Sequence, residues 1–421
     1  MINFLNKKTD KFFYGWVIVF SCMILYGASI GIFSNCFSIF IKPVTESLNV
    51  SRGSFTFYSV ISGFVGIIAS FIFGELYRRS PLGIRRFVLY GGVVCCSVFI
   101  GYSFADSLIH FYILAAVYGC ASCTLTGLTV NSLLDNWFIE KRGLAMGFSY
   151  AGSGIIGSIM MPIVSRIIED YGWRNGFRFM SWVSIVLIMI AILLIKVLPS
   201  YIGATPLGLS NKNNQKSTSN KTGLTRKQAI KTPAYWLFVA GMFLIGVVGM
   251  GIANHLVTFL TDIGHTSVTA AGIMSLVLIV MIAAKICMGY IFDRIGPIWS
   301  SVFVVTCLTL SIITLVSVGT FQYAPLLFAI CFGFGWSAIT VPGPYLLGEN
   351  FGTREFVSIF VIYNLCQDSG NSIATSFSGF MYDKFGNYYM VWYIMLAITI
   401  LSGCLLIASS IISSKKNYAK L

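Results

Sequence analysis

Two charged residues stand inside long apolar stretches, where a charge needs a chemical reason. Lys285 lies in AAKICMGYIFDRIGP, eight residues before Asp293, the first acidic residue of the turn that follows. In a helix that separation corresponds to about 12 Å. Asp368 lies in QDSGN, near the middle of a later apolar stretch. If these stretches cross a membrane, each charge costs at least about 2.5–3.5 kcal/mol.

The two side chains are suited to holding an anion and a proton. The Lys285 ammonium could be the counter-ion of a substrate carboxylate, or its flexible stem could carry the charge to the membrane surface without further function. The Asp368 carboxyl could take up a proton as the partner of Lys285, or it could be a structural group bonded to Asn371 or Tyr363. When the lysine holds the anion and the aspartate holds the proton, the loaded site is neutral, which is a physical basis for symport.

Further polar and aromatic residues lie within the apolar stretches. His255, about two turns before Asp262, could relay protons near neutral pH or could hydrogen-bond between helices. Seven others are candidate substrate-binding residues, although each alone could be a packing residue. Together they would form the aromatic, hydrogen-bonding pocket that small ligands prefer. They are Asn35, Tyr118, Asn131, Tyr150, Trp336, Tyr363 and Asn364.

The elements that carry these residues are predicted to be membrane-spanning helices. Of the 421 residues, 57% are hydrophobic and 10% are charged, and the mean hydropathy is +0.83. Continuous apolar runs recur that are long enough to cross a bilayer, and helices satisfy their own backbone there. The sequence therefore predicts an all-α membrane protein of twelve transmembrane helices. The runs are 14–41, 54–76, 87–105, 109–134, 143–168, 177–198, 234–261, 269–292, 298–319, 325–348, 356–382 and 388–413.

The net charge of +14 is explained by the distribution of lysine and arginine along the chain. With the N-terminus in the cytoplasm, 21 of these residues fall in cytoplasmic segments, 6 in outer segments, and Lys285 lies within a helix. This bias follows the positive-inside rule and predicts that both termini are cytoplasmic. The excess of basic residues therefore reflects the orientation of the chain in the membrane, and we expect no nucleic-acid partner.

Glycines in the charged turns indicate that the chain is duplicated. Gly83 and Gly296 are 213 residues apart, and Gly172 and Gly386 are 214 apart. Such repeats are typical of secondary transporters, which bind substrate between the halves near the midplane. We therefore expect two pseudo-symmetric six-helix bundles joined by a polar linker, in which 210–221 is predicted to be disordered and 225–231 to be a short helix. The predicted domains are 1–198, 199–232 and 233–421.

The turns carry a GxxxD[RK]xG motif, which fits fully from Gly289 to Gly296 and from Gly379 to Gly386. A glycine allows close helix approach, and an acid–base pair at the rim can fasten a neighbouring helix end. In the first half, Arg78 stands where the acid belongs. The glycine-rich start of the fifth run is predicted to be a close-packing face. Gating is assigned to Gly74, Arg142, Asp293 and Arg294.

With these motifs the chain resembles the major facilitator superfamily and, within it, the monocarboxylate transporter and oxalate–formate antiporter families. The resemblance implies transport of small organic anions, with a proton or by exchange, and places Lys285 where these families carry an arginine that binds the substrate anion. Oxalate-type exchangers use two cations against a dianion, so one cation and one acid favour a monoanion here. The stretches that carry the resemblance are YGW from Tyr14, WFIEKRG from Trp137, YGWR from Tyr171, TPAYW from Thr232 and HLV from His255.

The sequence thus predicts a secondary active transporter of a small monocarboxylate such as lactate, pyruvate or formate, coupled to protons by alternating access. An organic-anion exchanger is the alternative, and a membrane nutrient sensor on the same scaffold is the non-transporter alternative. We expect no enzyme activity and no catalytic residues, because no nucleophile–base or metal constellation is present. We also expect no cofactor or metal, and a monomer embedded in the lipid bilayer of a plasma membrane, with a bacterial inner membrane favoured.

Overall fold

The computed structural model describes residues 13–79, 83–208, 222–319, 321–337 and 342–420, and these are almost entirely helical. Ten of the described helices are long and apolar enough to cross a membrane. This confirms the predicted class, an all-helical membrane protein. The number of spans and the side on which the termini lie stay predictions.

The first half of the chain forms six long helical segments, two of which change their helical type partway. In α1 the α-helix gives way to a π-helix over Gly27–Ser34 and then to a 3-10 helix over Asn35–Phe40. In α4 a 3-10 turn over Cys123–Leu125 separates two α-helical parts. The segments are α1 Gly15–Leu48, α2 Arg52–Tyr77, α3 Ile84–Tyr102, α4 Leu108–Trp137, α5 Arg142–Tyr171 and α6 Trp173–Leu194.

The second half continues with α7, Pro233–Asp262. The next two helices, α8 and α9, share the range Ser267–Val316, which breaks at Gly296, where φ is 76°. That left-handed backbone is open to glycine at little cost, and Pro297 then opens α9. The remaining segments are α10, described as Ala324–Trp336 and Pro342–Phe351, then α11 Phe356–Phe385 and α12 Tyr388–Lys416.

Side-chain hydroxyls satisfy backbone groups where α4 departs from α-helical geometry. The Thr129 hydroxyl donates to the Thr124 carbonyl at 2.5 Å, and the Ser29 hydroxyl of α1 donates to the Leu125 carbonyl at 3.1 Å. Irregular backbone at membrane depth is tolerated where protein groups replace the missing bonds. The irregular parts of α1 and α4 are therefore fastened together in the interior.

Helix packing follows the predicted repeat. In the first half α1 packs on α5, α2 on α4, and α3 on α6; in the second half α7 packs on α11, α8 on α10, and α9 on α12. Each pair in one half corresponds to a pair in the other under a shift of six helices. The packing thus carries the same internal symmetry as the glycine spacing.

The ends of the linker attach to repeat-related positions. The Leu207 amide donates to the Trp137 carbonyl at 2.9 Å, and the Leu224 amide donates to the Phe351 carbonyl at 2.9 Å. The predicted short helix is present as Arg226–Ile230, with a capping box formed by Thr225. The segment 210–221, which was predicted to be disordered, lies outside the described residues.

We name the two ends of the helices for reference. The linker end carries 199–208 and 222–232, and the Asp262 end is the opposite one, where α1, α7 and α11 finish. Towards the Asp262 end the halves meet through α2 against α11, α1 against α7, and α5 against α8.

The glycine-rich face of α5 is close-packed over only part of its length. A Cβ added at Gly152 would lie 2.0 Å from the Met23 carbonyl oxygen, and one at Gly154 would lie 2.8 Å from Ile282 of α8. A Cβ at Gly143 or Gly147 would meet no atom within 4 Å. The predicted close-packing face is therefore correct for the middle of α5 and wrong for its start at the linker end.

Candidate functional site

Lys285 is carried inside α8, well before the helix breaks at Gly296. Lys285 is half-buried, next to the fully buried Ala284 in the sequence. Within the described residues its ammonium has no hydrogen-bond or ion-pair partner. An unpaired, half-buried cation of this kind attracts an anion strongly.

Asp368 is held by amides on its own helix, α11. The Asn364 amide nitrogen donates to Asp368 Oδ2 at 2.8 Å, and the Asn371 side chain is a second hydrogen-bonding neighbour. Asn364, which is predicted to bind substrate, thus contacts the candidate proton-binding group. Among the described contacts of Asp368 there is no ion pair with Lys285, so the structure holds the two charges separately.

Three polar side chains of the first half lie in a row that begins near Asp368. The Tyr26 side chain of α1 lies within electrostatic range of Asp368, and its ring centroid is 4.8 Å from that of Tyr150. The Tyr150 hydroxyl in turn donates to Asn131 Oδ1 at 2.5 Å. Tyr150 and Asn131 were both predicted, and the structure brings them together through α4 and α5.

The sequence analysis missed Tyr26, although its distance from the start of α1 could have indicated it. It lies 11 residues after the start of α1, and Asp368 lies 12 residues after the start of α11. At the rise of an α-helix, both therefore sit about 17 Å from the linker end. A tyrosine at the depth of the buried carboxyl would have been a reasonable candidate. At the depth of Asp368, residues from both halves of the chain are therefore present.

A cavity of about 170 Å³ lies between the halves on the Asp262 side of this level. None of the described residues that line it is charged; they are aromatic, hydroxylated or amide residues, with one glycine and one methionine. Of the predicted substrate-binding residues, Tyr118 is in the lining, where it contacts the rings of Phe33 and Phe99. Asn371, one turn beyond Asp368, also lines it. The cavity therefore lies about one helical turn beyond Asp368, towards the Asp262 end.

Three predicted substrate-binding residues make packing contacts in this structure. The Asn35 amide donates to the Ser153 carbonyl at 3.4 Å, which joins α1 to α5. Trp336 is buried and stacks on Phe332 with a centroid distance of 5.5 Å. Tyr363 is buried with its ring 5.3 Å from that of Phe238. None of the three is among the residues that line the cavity.

His255 is fully buried and uses both ring nitrogens within the second half. Nε2 lies 2.8 Å from the Thr375 carbonyl oxygen, which can only accept, so Nε2 carries a proton. Nδ1 lies 2.7 Å from the Tyr388 hydroxyl. The neighbouring Asn254, not His255, lines the cavity, and its amide donates to Thr375 Oγ1 at 2.6 Å.

The Asp262 end is closed by an ion-pair cluster that the sequence analysis did not identify. Asp262 of α7 accepts hydrogen bonds from both terminal nitrogens of Arg52, one of them at 3.1 Å, and lies 2.9 Å from the Lys42 ammonium. The Arg52 guanidinium also sits 4.0 Å from the centre of the Tyr382 ring and 5.4 Å from that of Tyr388. Residues from α1, α2, α7, α11 and α12 therefore meet in one cluster around Arg52 and Asp262.

The residues to which gating was assigned make few contacts between the halves. Arg142 pairs with Asp135 at 2.5 Å within the first half, and the Arg294 guanidinium lies over the Tyr290 ring at 4.4 Å. A Cβ at Gly74 would meet nothing within 4 Å. The Asp293 side chain lies outside the described part. Their gating role stays a prediction.

Comparison with solved structures gives the fold. The chain superimposes on a crystal structure of a mutant of the nucleoside transporter NupG with a TM-score of 0.73 at 13% identity, covering 93% of this chain and 99% of that one. It also matches a crystal structure of a mutant of the peptide transporter POT with a TM-score of 0.70 at 13% identity, covering 95% of both chains. These solved structures are of transporters, not enzymes.

Sequence comparison finds relatives that are named as monocarboxylate transporters. The chain is 24% identical over 389 residues to monocarboxylate transporter 13 of Rattus norvegicus, covering 89% of this chain and 84% of that protein. It is 21% identical over 431 residues to monocarboxylate transporter 2 of Mus musculus, covering 95% and 84%. A family model described as Major Facilitator Superfamily matches residues 19–375. Since that match spans most of the chain, the protein belongs to the Major Facilitator Superfamily of membrane-embedded transporters.

Proposed function

We propose that the protein is a secondary active transporter that moves a small monocarboxylate, such as lactate, pyruvate or formate, together with a proton. The observation that carries the proposal is Lys285, a half-buried cation inside α8 without a partner among the described residues. It binds the substrate carboxylate. Asp368, on α11, carries the proton.

The charges present favour a monoanion. Lys285 is the cation at the depth of Asp368 in the second half, and the described residues that line the neighbouring cavity add no further charge. A dianion would leave one negative charge uncompensated in a site of low dielectric, which is costly. The relatives named as monocarboxylate transporters support the same class of substrate.

Symport follows from charge balance at separated sites. Because the described contacts include no pair between Lys285 and Asp368, the ammonium is available to an anion while the carboxylate can take up a proton. When the substrate carboxylate is on Lys285 and the proton is on Asp368, the loaded site is neutral. Exposing a neutral site in turn to the two faces of a membrane costs less free energy than exposing a charged one. Alternating access of two rocking halves would supply that movement, in a monomer of the plasma membrane with cytoplasmic termini.

Liposomes that hold a pH-sensitive dye test the proposal. Lactate is added outside, and wild type is compared with Lys285→Gln and Lys285→Arg. Lys227→Gln is the matched control, because Lys227 is an exposed lysine of the linker helix. We expect internal acidification above the passive leak in wild type and control, loss of at least about tenfold in Lys285→Gln, and partial recovery in Lys285→Arg, which keeps the charge but changes its geometry.

Other outcomes assign the alternatives. If no acidification occurs but labelled lactate exchanges against preloaded lactate, the protein is an organic-anion exchanger. If neither mode is active with lactate, pyruvate or formate, the monocarboxylate proposal is wrong, and a sensor on the same scaffold becomes the better account. If Lys285→Gln transports as well as wild type, the anion does not bind at Lys285.

A further inference from the structure

The two halves contribute different chemistry to the lining of the cavity. Three serines and one glycine of the first half line it, and so do six aromatic rings, which we call the ring wall. The described lining from the second half contains no ring and consists of two amides, two hydroxyl residues and one methionine. The ring wall comprises Phe33, Phe37, Tyr58, Phe99, Tyr102 and Tyr118.

The ring wall is formed before any ligand binds, because its rings pack on one another. Phe33 stacks on Phe99 with a centroid distance of 4.3 Å, and Tyr118 meets both of these rings at 6.2 and 5.8 Å. Phe37 lies 4.3 Å from Tyr58 and 6.0 Å from Phe99. Contacts of this kind between rings are favourable beyond the area that they bury. A further ring that enters the cavity would therefore find a fixed aromatic surface.

The volume of the cavity corresponds to one aromatic ring. An apolar cavity of about 150 Å³ is large enough to bind one benzene molecule, and this cavity has a volume of about 170 Å³. The methyl group of lactate would fill only a small part of that space. Since dispersion contacts are lost where a surface has no partner atoms, a short substrate gains little from the ring wall.

Three tyrosine hydroxyls of the ring wall have no hydrogen-bond partner among the described residues. Tyr58 of α2, Tyr102 of α3 and Tyr118 of α4 line the cavity together, and they lie within electrostatic range of one another. A tyrosine hydroxyl that is removed from water usually finds a partner, because leaving it without one costs free energy. A polar substituent on a bound ring would supply the missing hydrogen bond.

The cavity lies within reach of a substrate whose carboxylate is at Lys285. Lys285 is 11 residues from Gly296, at the end of α8, and Asp368 is 12 residues from the start of α11, so their depths are similar. Asn371 and Thr375, which line the cavity, come three and seven residues after Asp368. At the rise of a helix, those separations are roughly 4–11 Å. A short carbon chain can bridge them, whereas lactate ends before the cavity begins.

We propose that this cavity binds the body of the substrate, and that the Lys285 site prefers a monocarboxylate whose short carbon chain ends in an aromatic ring with a hydrogen-bonding substituent. The ring packs on Phe33 and Phe99, and the substituent bonds to the hydroxyl of Tyr118 or of a neighbouring tyrosine. A hydroxyphenyl group meets both requirements. The inference rests on the carboxylate binding at Lys285 that is proposed above.

Binding to the full chain in lipid nanodiscs, measured by isothermal titration calorimetry, tests the cavity without transport or a proton gradient. The probes are para-hydroxyphenylacetate, phenylacetate and lactate. We expect affinity to fall in that order, with para-hydroxyphenylacetate at least about tenfold tighter than lactate, because a buried ring removes more apolar area from water.

Tyr118→Phe tests the hydrogen bond and keeps the ring. The preference for para-hydroxyphenylacetate over phenylacetate should fall about two- to tenfold, the range for one hydrogen bond between neutral groups. Tyr112→Phe is the matched control, because Tyr112 lies on the same helix and its hydroxyl donates to the Ser54 carbonyl outside the cavity.

Ser62→Leu tests the volume, since Ser62 lines the cavity on α2 and a leucine would occupy part of it. The preference for either ring acid over lactate should fall at least about tenfold. Ser70→Leu is the matched control, because it makes the same change at an exposed position of the same helix.

The inference is overturned if the ring acids bind no tighter than lactate, or if Tyr118→Phe and Ser62→Leu keep the preferences of wild type. It is also wrong if Lys285→Gln binds para-hydroxyphenylacetate as tightly as wild type while lactate uptake still requires Lys285. If lactate is taken up with protons but the ring acids do not bind, the transport proposal stands and the cavity assignment fails. If the ring acids bind as expected but no acid is carried into liposomes, the cavity assignment stands and the transport proposal fails.

Discussion

Asp262 and Arg52 form a two-nitrogen ion pair that joins α7 of the second half to α2 of the first. The Arg52 side chain is 11% exposed and that of Asp262 is 22% exposed, so the pair is largely shielded from water. Lys42 contacts the same carboxylate, and two tyrosine rings flank the guanidinium. Removing the carboxylate would take from Arg52 and Lys42 the counter-ion that they share.

We therefore expect Asp262→Asn to destabilise the folded protein by about 1–3 kcal/mol, between the values for exposed and buried pairs. Thermal unfolding followed by tryptophan fluorescence should show a lower Tm than in wild type. Asp106→Asn is the control, since Asp106 pairs with Arg174 at 2.5 Å but is 76% exposed. Equal Tm changes in the two variants would mean that the Asp262 cluster contributes no more than a surface ion pair.

Asp368 is expected to determine coupling. In Asp368→Asn the amide cannot take up a proton but retains a similar shape next to Asn364, so the helix should stay intact. Lactate uptake driven by an inward proton gradient should fall at least about tenfold, while exchange of labelled against unlabelled lactate persists. Asn364→Ala removes the 2.8 Å contact but keeps the carboxyl, and it should retain gradient-driven uptake. Unchanged gradient-driven uptake in Asp368→Asn would exclude the carboxyl as the proton carrier.

Mutation can also decide whether His255 relays protons or forms a structural hydrogen bond between helices. Because both ring nitrogens are engaged by Thr375 and Tyr388 and the side chain is fully buried, we expect a structural role. Tyr388→Phe and His255→Asn should then lower the Tm by several degrees, consistent with one lost buried hydrogen bond of about 1–3 kcal/mol. The number of protons moved per lactate, measured with dye and label together, should not change. A lower proton number in His255→Asn alone would establish a relay.

The sequence was sufficient for the fold class because lipid leaves the backbone few choices. Lys285 and Asp368 stood out for a similar reason, since a charge inside an apolar run is rare and conspicuous. Tyr26 and Arg52 did not stand out. The helices that carry them are apolar around most of their circumference, so the sequence period does not indicate which face points inward. The packing partners of Asn35, Trp336 and Tyr363 depend on that same helix rotation.

Contacts between the halves were harder still to predict from the sequence, because they depend on which conformation the transporter adopts. The motif analysis expected an acid at a turn to fasten a neighbouring helix end, and Asp383 does so on α2. That the related Glu169 does the same on α8 required the structure, since its turn lacks the full motif. Whether a larger residue can replace a glycine of α5 also depends on the conformation of the transporter.

Gly152 and Gly147 provide a matched pair for that last point, five residues apart on α5. A Cβ at Gly152 would lie 2.0 Å from the Met23 carbonyl, which is backbone and cannot move aside without displacing α1. We expect Gly152→Val to lower the yield of monodisperse protein severely, at a cost of about 3 kcal/mol or more, beyond the usual range for overpacking. Gly147→Val, in open space, should express and unfold like wild type when measured by size-exclusion chromatography and thermal melting. If Gly147→Val folds but loses transport, its open space at the linker end must close during the cycle, which would support the alternating access proposed for these two halves.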